Sequence, residues 1–578
     1  MKMRIKGLFF AVCLAVAAVL AGCQGTEYTV SFDLNYRDCP DEDDVMVASG
    51  KKLEQPENPT REGYTFIGWF ENAALTDEWD FSTEKVSADM TLYAGWDLDT
   101  GDESVYPEDD KDFSSLKTAG SQESSYEYVN FFLPEVDGIS QPYVGDVMPY
   151  YEDGVYYIYY LKESGDSYNH SVYLATTTDF VTYTEYDDVV LEASRSGGQD
   201  GWIGTGSVVK VGERYYFFYT GHTSSASYEY QEKIMVAQSD NLYSFEKVAE
   251  WEIIPPDSLG QKQDFRDPQA YYDEESGEIT LTVPAAQSNI ARILKYTLSA
   301  DLTQVEYEGI IFSDPTGEFW NLECSDTFEI NGTWYITYSA QDDTLWYAYA
   351  DEQFGPYSEP QRLDGKLFYS AKHVEDGSDY YMAGWARRSE SATSTSEVSA
   401  WGGNLVVQKI VQNEDKTLSL APVDAVAEQY TVRRELATED SHIYMKAGSL
   451  YDFEEVFTAY ESFMLTGVFT FEGSGSFGLA FDYNGDEESY KLISIDPEEG
   501  MVSLYFNEGS TLIAQTAVTL EAGEEYSFTY IQEGSVGTFY IDGLAALTVR
   551  IYGVSGKSIR FFAENNNVLF TSLREYTR

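Results

Sequence analysis

The sequence predicts an all-β chain whose central part is a five-bladed β-propeller, followed by a β-sandwich. Three observations lead there. Tyr (48) and Phe (32) are abundant and Pro (16) is scarce, and aromatic segments cut by Gly, Asn and Asp turns favour strands. Between about residues 130 and 430 a turn followed by an aromatic strand recurs five times. Beyond it, residues 438–578 keep alternating, as in Phe463-Met464-Leu465-Thr466-Gly467-Val468-Phe469-Thr470-Phe471 and again over 537–543, with the strand density of a sandwich.

The recurring unit is concrete. Glu152-Asp153-Gly154 precedes Tyr156-Tyr157-Ile158-Tyr159-Tyr160, and Val211-Gly212 precedes Tyr215-Tyr216-Phe217-Phe218-Tyr219. Ser276-Gly277, Asn331-Gly332 and Asp376-Gly377 precede the strands at 279–283, 334–338 and 380–382. The turn glycines stand at 154, 212, 277, 332 and 377, in steps of 58, 65, 55 and 45 residues. That period suits four-stranded blades, whereas a sandwich would space its hairpins more closely.

At the N-terminus Lys2, Arg4 and Lys6 precede an uncharged apolar run over residues 8–20, which ends in Leu20-Ala21-Gly22-Cys23. The run is short for a membrane span. The pattern resembles a bacterial lipoprotein signal over 1–22, which implies cleavage before Cys23, lipidation of its thiol and a short tether over 23–27. The chain would then be attached to a membrane at the cell surface or outer envelope rather than crossing it. Cys13 would leave with the signal, so Cys39 and Cys324 would remain, in different predicted domains. Neither a disulfide framework nor a Cys/His metal site is expected, and no cofactor.

Residues 28–97 form a small β unit with Gly68-Trp69 and Gly95-Trp96 near its strand ends. It resembles the internalin-type B repeat, a β-grasp-like module, which implies a spacer or adhesive role. Residues 98–127, rich in Asp, Glu, Ser and Gly, read as a linker. The propeller is then expected over 128–435 and the sandwich over 436–578. Lys plus Arg number 36 against 99 Asp plus Glu, a net charge of −63. Such a surface repels polyanions and excludes nonspecific nucleic-acid binding.

Three acids hold the same place in the repeat. Asp146 lies 8 residues before Gly154, Asp267 lies 10 before Gly277, and Glu323 lies 9 before Gly332. Gly204 and Phe368 occupy the matching places in the other two repeats. The first strand of each propeller blade lines the central channel, so these acids should meet at one mouth of it. Crowded carboxylates can divide labour, one ionised and one protonated, as glycoside hydrolysis requires.

Arg266-Asp267-Pro268 and Glu323-Cys324-Ser325-Asp326 resemble the Arg-Asp-Pro and Glu-Cys motifs of glycoside hydrolase family 32, the fructan and sucrose hydrolases. Gly204-Thr205-Gly206-Ser207 resembles that family's Phe-Ser-Gly-Ser segment, and Trp401-Gly402-Gly403-Asn404-Leu405 its final-blade segment. The resemblance spans 130–578 and implies Asp146 as nucleophile, Glu323 as general acid and then base, and Asp267 as holder of sugar hydroxyls. It also points to Arg266 as a charge partner, with Ser207 a further substrate contact. Trp202, Trp320 and Trp401 are candidate sugar-stacking rings and His222 a candidate substrate contact. Val144-Gly145-Asp146-Val147-Met148-Pro149 departs from the family's Trp-Met-Asn-Asp-Pro-Asn, and Leu161 stands where a Gln is usual. The expected partner is an oligo- or polysaccharide, cleaved with retention by a monomer. The alternatives are an arabinan or xylan hydrolase of family 43, whose motif reads Glu-Gly-Pro, and a non-catalytic glycan-binding lipoprotein.

Overall fold

The computed structural model describes residues 26–34, 40, 44–61, 64–71, 78–98, 128–134, 143–163, 170–194, 198–260, 264–388, 400–437, 442–452, 462–481, 490–506, 511–553, 556 and 558–578. The expected lipoprotein signal, Cys23, Cys39 and nearly all of the expected linker lie outside them. The chain divides into two compact units, Met1–Ser104 and Val105–Arg578.

In the first unit, β1 (Glu27–Asp33), β2 (Val45–Ala48), β3 (Tyr64–Phe70) and β4 (Met90–Leu98) form one sheet in the order β2-β1-β4-β3. The central pair β1 and β4 is parallel and the outer pairs are antiparallel, the mixed order of a β-grasp sheet. Val30, Val47, Trp69, Trp79 and Leu92 bury one face. A side chain at Gly95 would meet the Phe70 ring at 2.3 Å, so the glycine lets that ring lie across the sheet.

The second unit begins with five four-stranded sheets in chain order. Blade 1 is β5 (Val147–Glu152), β6 (Val155–Glu163), β7 (His170–Thr177) and β8 (Tyr183–Glu185). Blade 2 is β9 (Trp202–Val211), β10 (Arg214–His222), β11 (Glu232–Ser239) and β12 (Glu246–Ile253). Blade 3 is β13 (Gln269–Asp273), β14 (Glu278–Gln287), β15 (Ile290–Ser299) and β16 (Val305–Ser313). Blade 4 is β17 (Leu322–Ile330), β18 (Thr333–Ala340), β19 (Leu345–Ala350) and β20 (Gln361–Asp364). Blade 5 is β21 (Phe368–Glu375), β22 (Tyr380–Arg388), β23 (Ala400–Gln412) and β24 (Leu418–Ala421).

The first strands of successive blades touch in a closed ring, β5 to β9 to β13 to β17 to β21 and back to β5. All five repeat glycines sit in the hairpin after a first strand, with φ between 61° and 85°, a region glycine enters without steric cost. Strand alternation buries both faces of each blade. On β6, Tyr159 packs with Met148 and Phe217 between blades 1 and 2. Its neighbours Ile158 and Tyr160 join Phe368 and Trp385 on the side of blade 5. The ring closes through the segment before blade 1: Val144 N–H and Gly403 N–H bond each other's carbonyls at 2.7 and 2.9 Å, and Leu405 N–H donates to Phe132 O.

Residues 432–577 form two packed sheets of seven and six strands around Phe463, Phe477, Ile493 and Phe561. Val432–Glu435 pairs with Val568–Thr577 of this sandwich. The sequence boundary had put it in the propeller, because a four-residue strand beside the last blade carries no period of its own. Arg550 fastens the sandwich to blade 5, donating to the carbonyls of Arg387 and Ala386 at 2.9 and 2.8 Å and to Asn404 Oδ1 at 2.9 Å.

Candidate active site

The inner strands are regular at the hairpin end and broken at the other. Asp146 stands one residue ahead of β5 and Asp267 two ahead of β13, while Glu323 is the second residue of β17. The register of β9 slips around Thr205, that of β17 between Glu323 and Asp326, and that of β21 between Tyr369 and Lys372. Asp267, Cys324 and Ser370 hold φ of 60°, 53° and 51° at this level. Bulges and left-handed residues re-aim side chains, and here they turn the acids inward at one mouth of the channel. Each left-handed non-glycine residue costs about 1–3 kcal/mol, which the surrounding packing must offset.

Asp146 is held on both oxygens: Thr205 Oγ1 donates to Oδ2 at 2.8 Å and Trp385 Nε1 to Oδ1 at 3.1 Å. The ring of Trp401 lies where a side chain at 145 would go, 2.1 Å from the position of such a Cβ. Gly145 therefore lets Trp401 pack beside the acid. Glu323 receives the Arg266 fork on Oε1, from Nη2 at 2.9 Å and Nε at 3.2 Å, and the Tyr369 hydroxyl on Oε2 at 2.5 Å. The Arg387 guanidinium lies over the rings of both Tyr369 and Trp385.

Asp267 is the most hidden of the three, at 4% exposure. Its Oδ2 accepts Cys324 N–H at 3.0 Å, and its own N–H donates to Thr220 Oγ1 at 2.8 Å. Burial pushes this carboxyl up to about 7, with Arg266 pulling it down and Glu323 and Asp146 adding to the rise. Both other acids thus act on Asp267. The Cys324 thiol is buried against Ser370 Oγ at 2.9 Å, and burial drives it well above the usual thiol range.

Arg266 is drawn down by burial, but Glu232, Glu323 and Asp267 outweigh that and keep it a cation. Glu232 was not visible as a site residue. It contacts Arg266 Nη1 at 3.1 Å, His222 Nδ1 at 3.5 Å and Phe265 N–H at 2.8 Å. Burial would raise its carboxyl, but the His222 contact and the Arg266 charge hold it at about 2.

The aromatic candidates line the rim. Trp202 and Trp320 are each 40% exposed, and Trp320 lies under the Arg266 guanidinium at 5.3 Å. Trp401 stacks on His170 at 4.5 Å and 4°, His170 faces Trp202 at 5.9 Å, and Trp202 faces His222 at 5.5 Å. Ser207 is a correction. Its hydroxyl donates to Pro268 O at 3.1 Å and accepts Ala270 N–H at 2.9 Å. It is buried and stitches blade 2 to blade 3, while the register slip at Thr205 turns that residue, two positions before it, toward the acid.

Sequence reasoning also missed Thr205, Tyr369, Trp385 and His170. The first two stand one residue after Gly204 and Phe368, the places where the repeat carries no acid. The two blades without a carboxylate thus supply hydroxyl donors to the carboxylates of blades 1 and 4. Among the described residues no group of three or more His, Cys, Asp and Glu is arranged to hold a metal ion.

Three inward carboxylates at the mouth of a five-bladed propeller joined to a sandwich are an arrangement that glycoside hydrolysis can use. Residues 147–422 match the N-terminal domain of glycosyl hydrolase family 32. Residues 28–95 match the Listeria-Bacteroides repeat domain. Fructan 1-exohydrolase IIa of Cichorium intybus superposes with a TM-score of 0.64 at 16% identity, over 79% of this chain and 98% of that one. Exo-inulinase of Aspergillus awamori gives 0.61 at 17%, over 79% and 98%. Sucrose-6-phosphate hydrolase of Lactobacillus gasseri gives 0.58 at 17%, over 75% and 93%. At such identities these likenesses speak for the fold. Internalin H of Listeria monocytogenes is 36% identical over 74 residues, 13% of each chain. A putative Gly-rich membrane protein of Evansella cellulosilytica is 44% identical over 72 residues, 12% of this chain and 8% of that one. This chain therefore spans about a tenth of the curated relatives it matches.

Proposed function

We propose that the chain is a retaining glycoside hydrolase that cleaves fructosyl linkages in fructans or sucrose-like glycans. The observation that carries this reading is the convergence of Asp146, Asp267 and Glu323 through shared partners at one channel mouth. Asp146, oriented by Thr205 and Trp385, attacks the anomeric carbon of the fructosyl unit. The bond to the leaving oxygen breaks as Glu323 gives that oxygen a proton. Arg266 occupies Oε1, so Oε2 is the oxygen that carries the proton, beside a Tyr369 hydroxyl able to donate or accept. Water, deprotonated by the same Glu323, then releases the sugar from Asp146 with its configuration kept. Asp267 binds sugar hydroxyls, and its partly protonated state lets it donate as well as accept.

Trp202, Trp320, Trp401 and His222 form the rim on which further sugar units rest. The repeat module, common to internalin H, supports a place at the cell surface, with Cys23 as the lipidated residue and the enzyme acting as a monomer. Loss of membrane-fraction protein in Cys23→Ala is the expected result, and unchanged fractionation contradicts the anchor.

The test of the reaction is fructose release from sucrose, inulin and levan, with Asp146→Asn alongside. Wild type should release fructose, and the variant should lose about 10⁴-fold in kcat with an unchanged melting temperature. Arabinose or xylose freed from arabinan or xylan instead would move the chain to family 43 chemistry. Glycan bound but never cleaved would make it a binding protein.

A further inference from the structure

Two rings hold the two acids that react, and one side chain lies over both. Trp385 Nε1–H donates to Asp146 Oδ1 at 3.1 Å, and the Tyr369 hydroxyl donates to Glu323 Oε2 at 2.5 Å. The two rings are neighbours, with centroids 5.4 Å apart and planes inclined at 60°. The Arg387 guanidinium stands 4.9 Å from the Tyr369 ring and 5.2 Å from the Trp385 ring. All three residues are buried.

The backbone places Arg387 there. Strand alternation puts Trp385 and Arg387, two residues apart, on one face of β22. The register of β22 against β23 shifts between Arg387 and Arg388, and such irregularities re-aim side chains. Both backbone groups of Arg387 are engaged. Its N–H donates to Leu367 O at 2.8 Å, and its carbonyl accepts Arg550 Nε of the sandwich at 2.9 Å. The guanidinium is also held from blade 4, where Nη2 donates to Asp343 Oδ1 at 2.8 Å. Asp343 lies in the hairpin between β18 and β19, with φ of 66°. Arg387 thus joins blade 4, blade 5 and the sandwich where the two rings meet.

We infer that Arg387, held by Asp343, is a positioning residue that clamps the Tyr369 and Trp385 rings as one unit and so fixes Glu323 and Asp146 relative to each other. The inference rests on the proposed hydrolysis, in which the two carboxyls flank one bond about 5–5.5 Å apart. A guanidinium is drawn to the face of an aromatic ring, most strongly where water is excluded. Its planar fork can keep an ion pair at the same time. A small misplacement of reacting groups costs rate more than binding.

The experiment measures kcat and KM for fructose release by the full chain, comparing wild type with Arg387→Met and Asp343→Asn. Met keeps the length of the side chain and loses the charge. Asn tolerates the left-handed backbone at 343 and loses the ion pair. Arg387→Met should lower kcat about tenfold and Asp343→Asn about threefold, with KM within about twofold of wild type in both. A raised KM with unchanged kcat would make Arg387 a substrate contact, and no change in either would make it packing. Both results overturn the inference. A second readout is the exchange rate of the Trp385 indole N–H, followed by NMR and assigned from the signal lost in Trp385→Phe. Exchange should be about tenfold faster in Arg387→Met, and an unchanged rate overturns the inference. Should Arg387→Met fail to fold, Asp343→Asn decides, since Asp343 is 41% exposed in its turn. A wild type silent on sucrose, inulin and levan fails the hydrolase reading instead, and the indole exchange still decides whether Arg387 holds the ring.

Discussion

Asp267 at the channel mouth and Asp364 at the join of propeller and sandwich are both buried, at 4% and 0% exposure. Burial raises both carboxyls, to about 7 and about 6. Their neighbours differ. Asp364 is enclosed by neutral donors: Thr548 N–H at 2.8 Å and its hydroxyl at 2.6 Å, Gln408 Nε2 at 3.0 Å and Gly365 N–H at 2.6 Å. Asp267 has the Cys324 amide, a guanidinium nearby and two other carboxylates acting on it. Burial alone thus does not set the candidate site's acid apart. What sets Asp267 apart is a carboxyl with few donors among like charges.

The comparison can be broken by substitution. Asp267→Asn should lower kcat/KM by about 10²–10³-fold. It should also raise stability near neutral pH by up to ~4 kcal/mol, since each pKa unit is about 1.4 kcal/mol. Urea denaturation at pH 7 checks this, and a less stable variant contradicts it. The sign follows from linkage. Both carboxyls bind their proton more tightly folded than at the ordinary ~3.9 of an unfolded chain. The stability they add is full below about pH 4 and is lost as pH rises through about 6 for Asp364 and about 7 for Asp267.

Asp364→Ala should do the reverse. The Thr548 and Gln408 donors lose their acceptor at a cost of about 2–4 kcal/mol, read as a lower melting temperature, while kcat well below that temperature stays within about twofold of wild type, because Asp364 orients nothing in the channel. Tyr369→Phe should have the smallest effect in free energy, felt in kcat rather than in stability. Loss of one hydrogen bond to Glu323 is worth about 1.5–3 kcal/mol, a fall of roughly 10–100-fold in kcat with little change in stability. A stability loss with unchanged kcat would make Tyr369 a packing residue.

The blade pattern was legible because each turn glycine and aromatic strand is local in sequence. Asp146, Asp267 and Glu323 were legible because the repeat carried their positions in register. Thr205 and Tyr369 were one residue out of that register, and the bulges that bring them to the acids leave no compositional trace. Glu232, Trp385 and His170 act across blades. Glu232 holds Arg266 from 34 residues away, and Trp385 reaches Asp146 from 239. Ser207 was misread for the opposite reason, since motif position selected it while its hydroxyl stitches blade 2 to blade 3. Val432–Glu435 was misplaced because strand pairing, rather than strand position, decides domain membership.

The central claim is that Asp146 forms a covalent bond to the sugar while Glu323 manages the proton. Its most direct test is mass spectrometry of Glu323→Gln quenched during incubation with a fructosyl donor whose leaving group departs without a proton, such as a fructosyl fluoride. The account predicts a fructosyl adduct on the peptide that carries Asp146. Wild-type turnover with inverted product, and no adduct on that peptide, would contradict it.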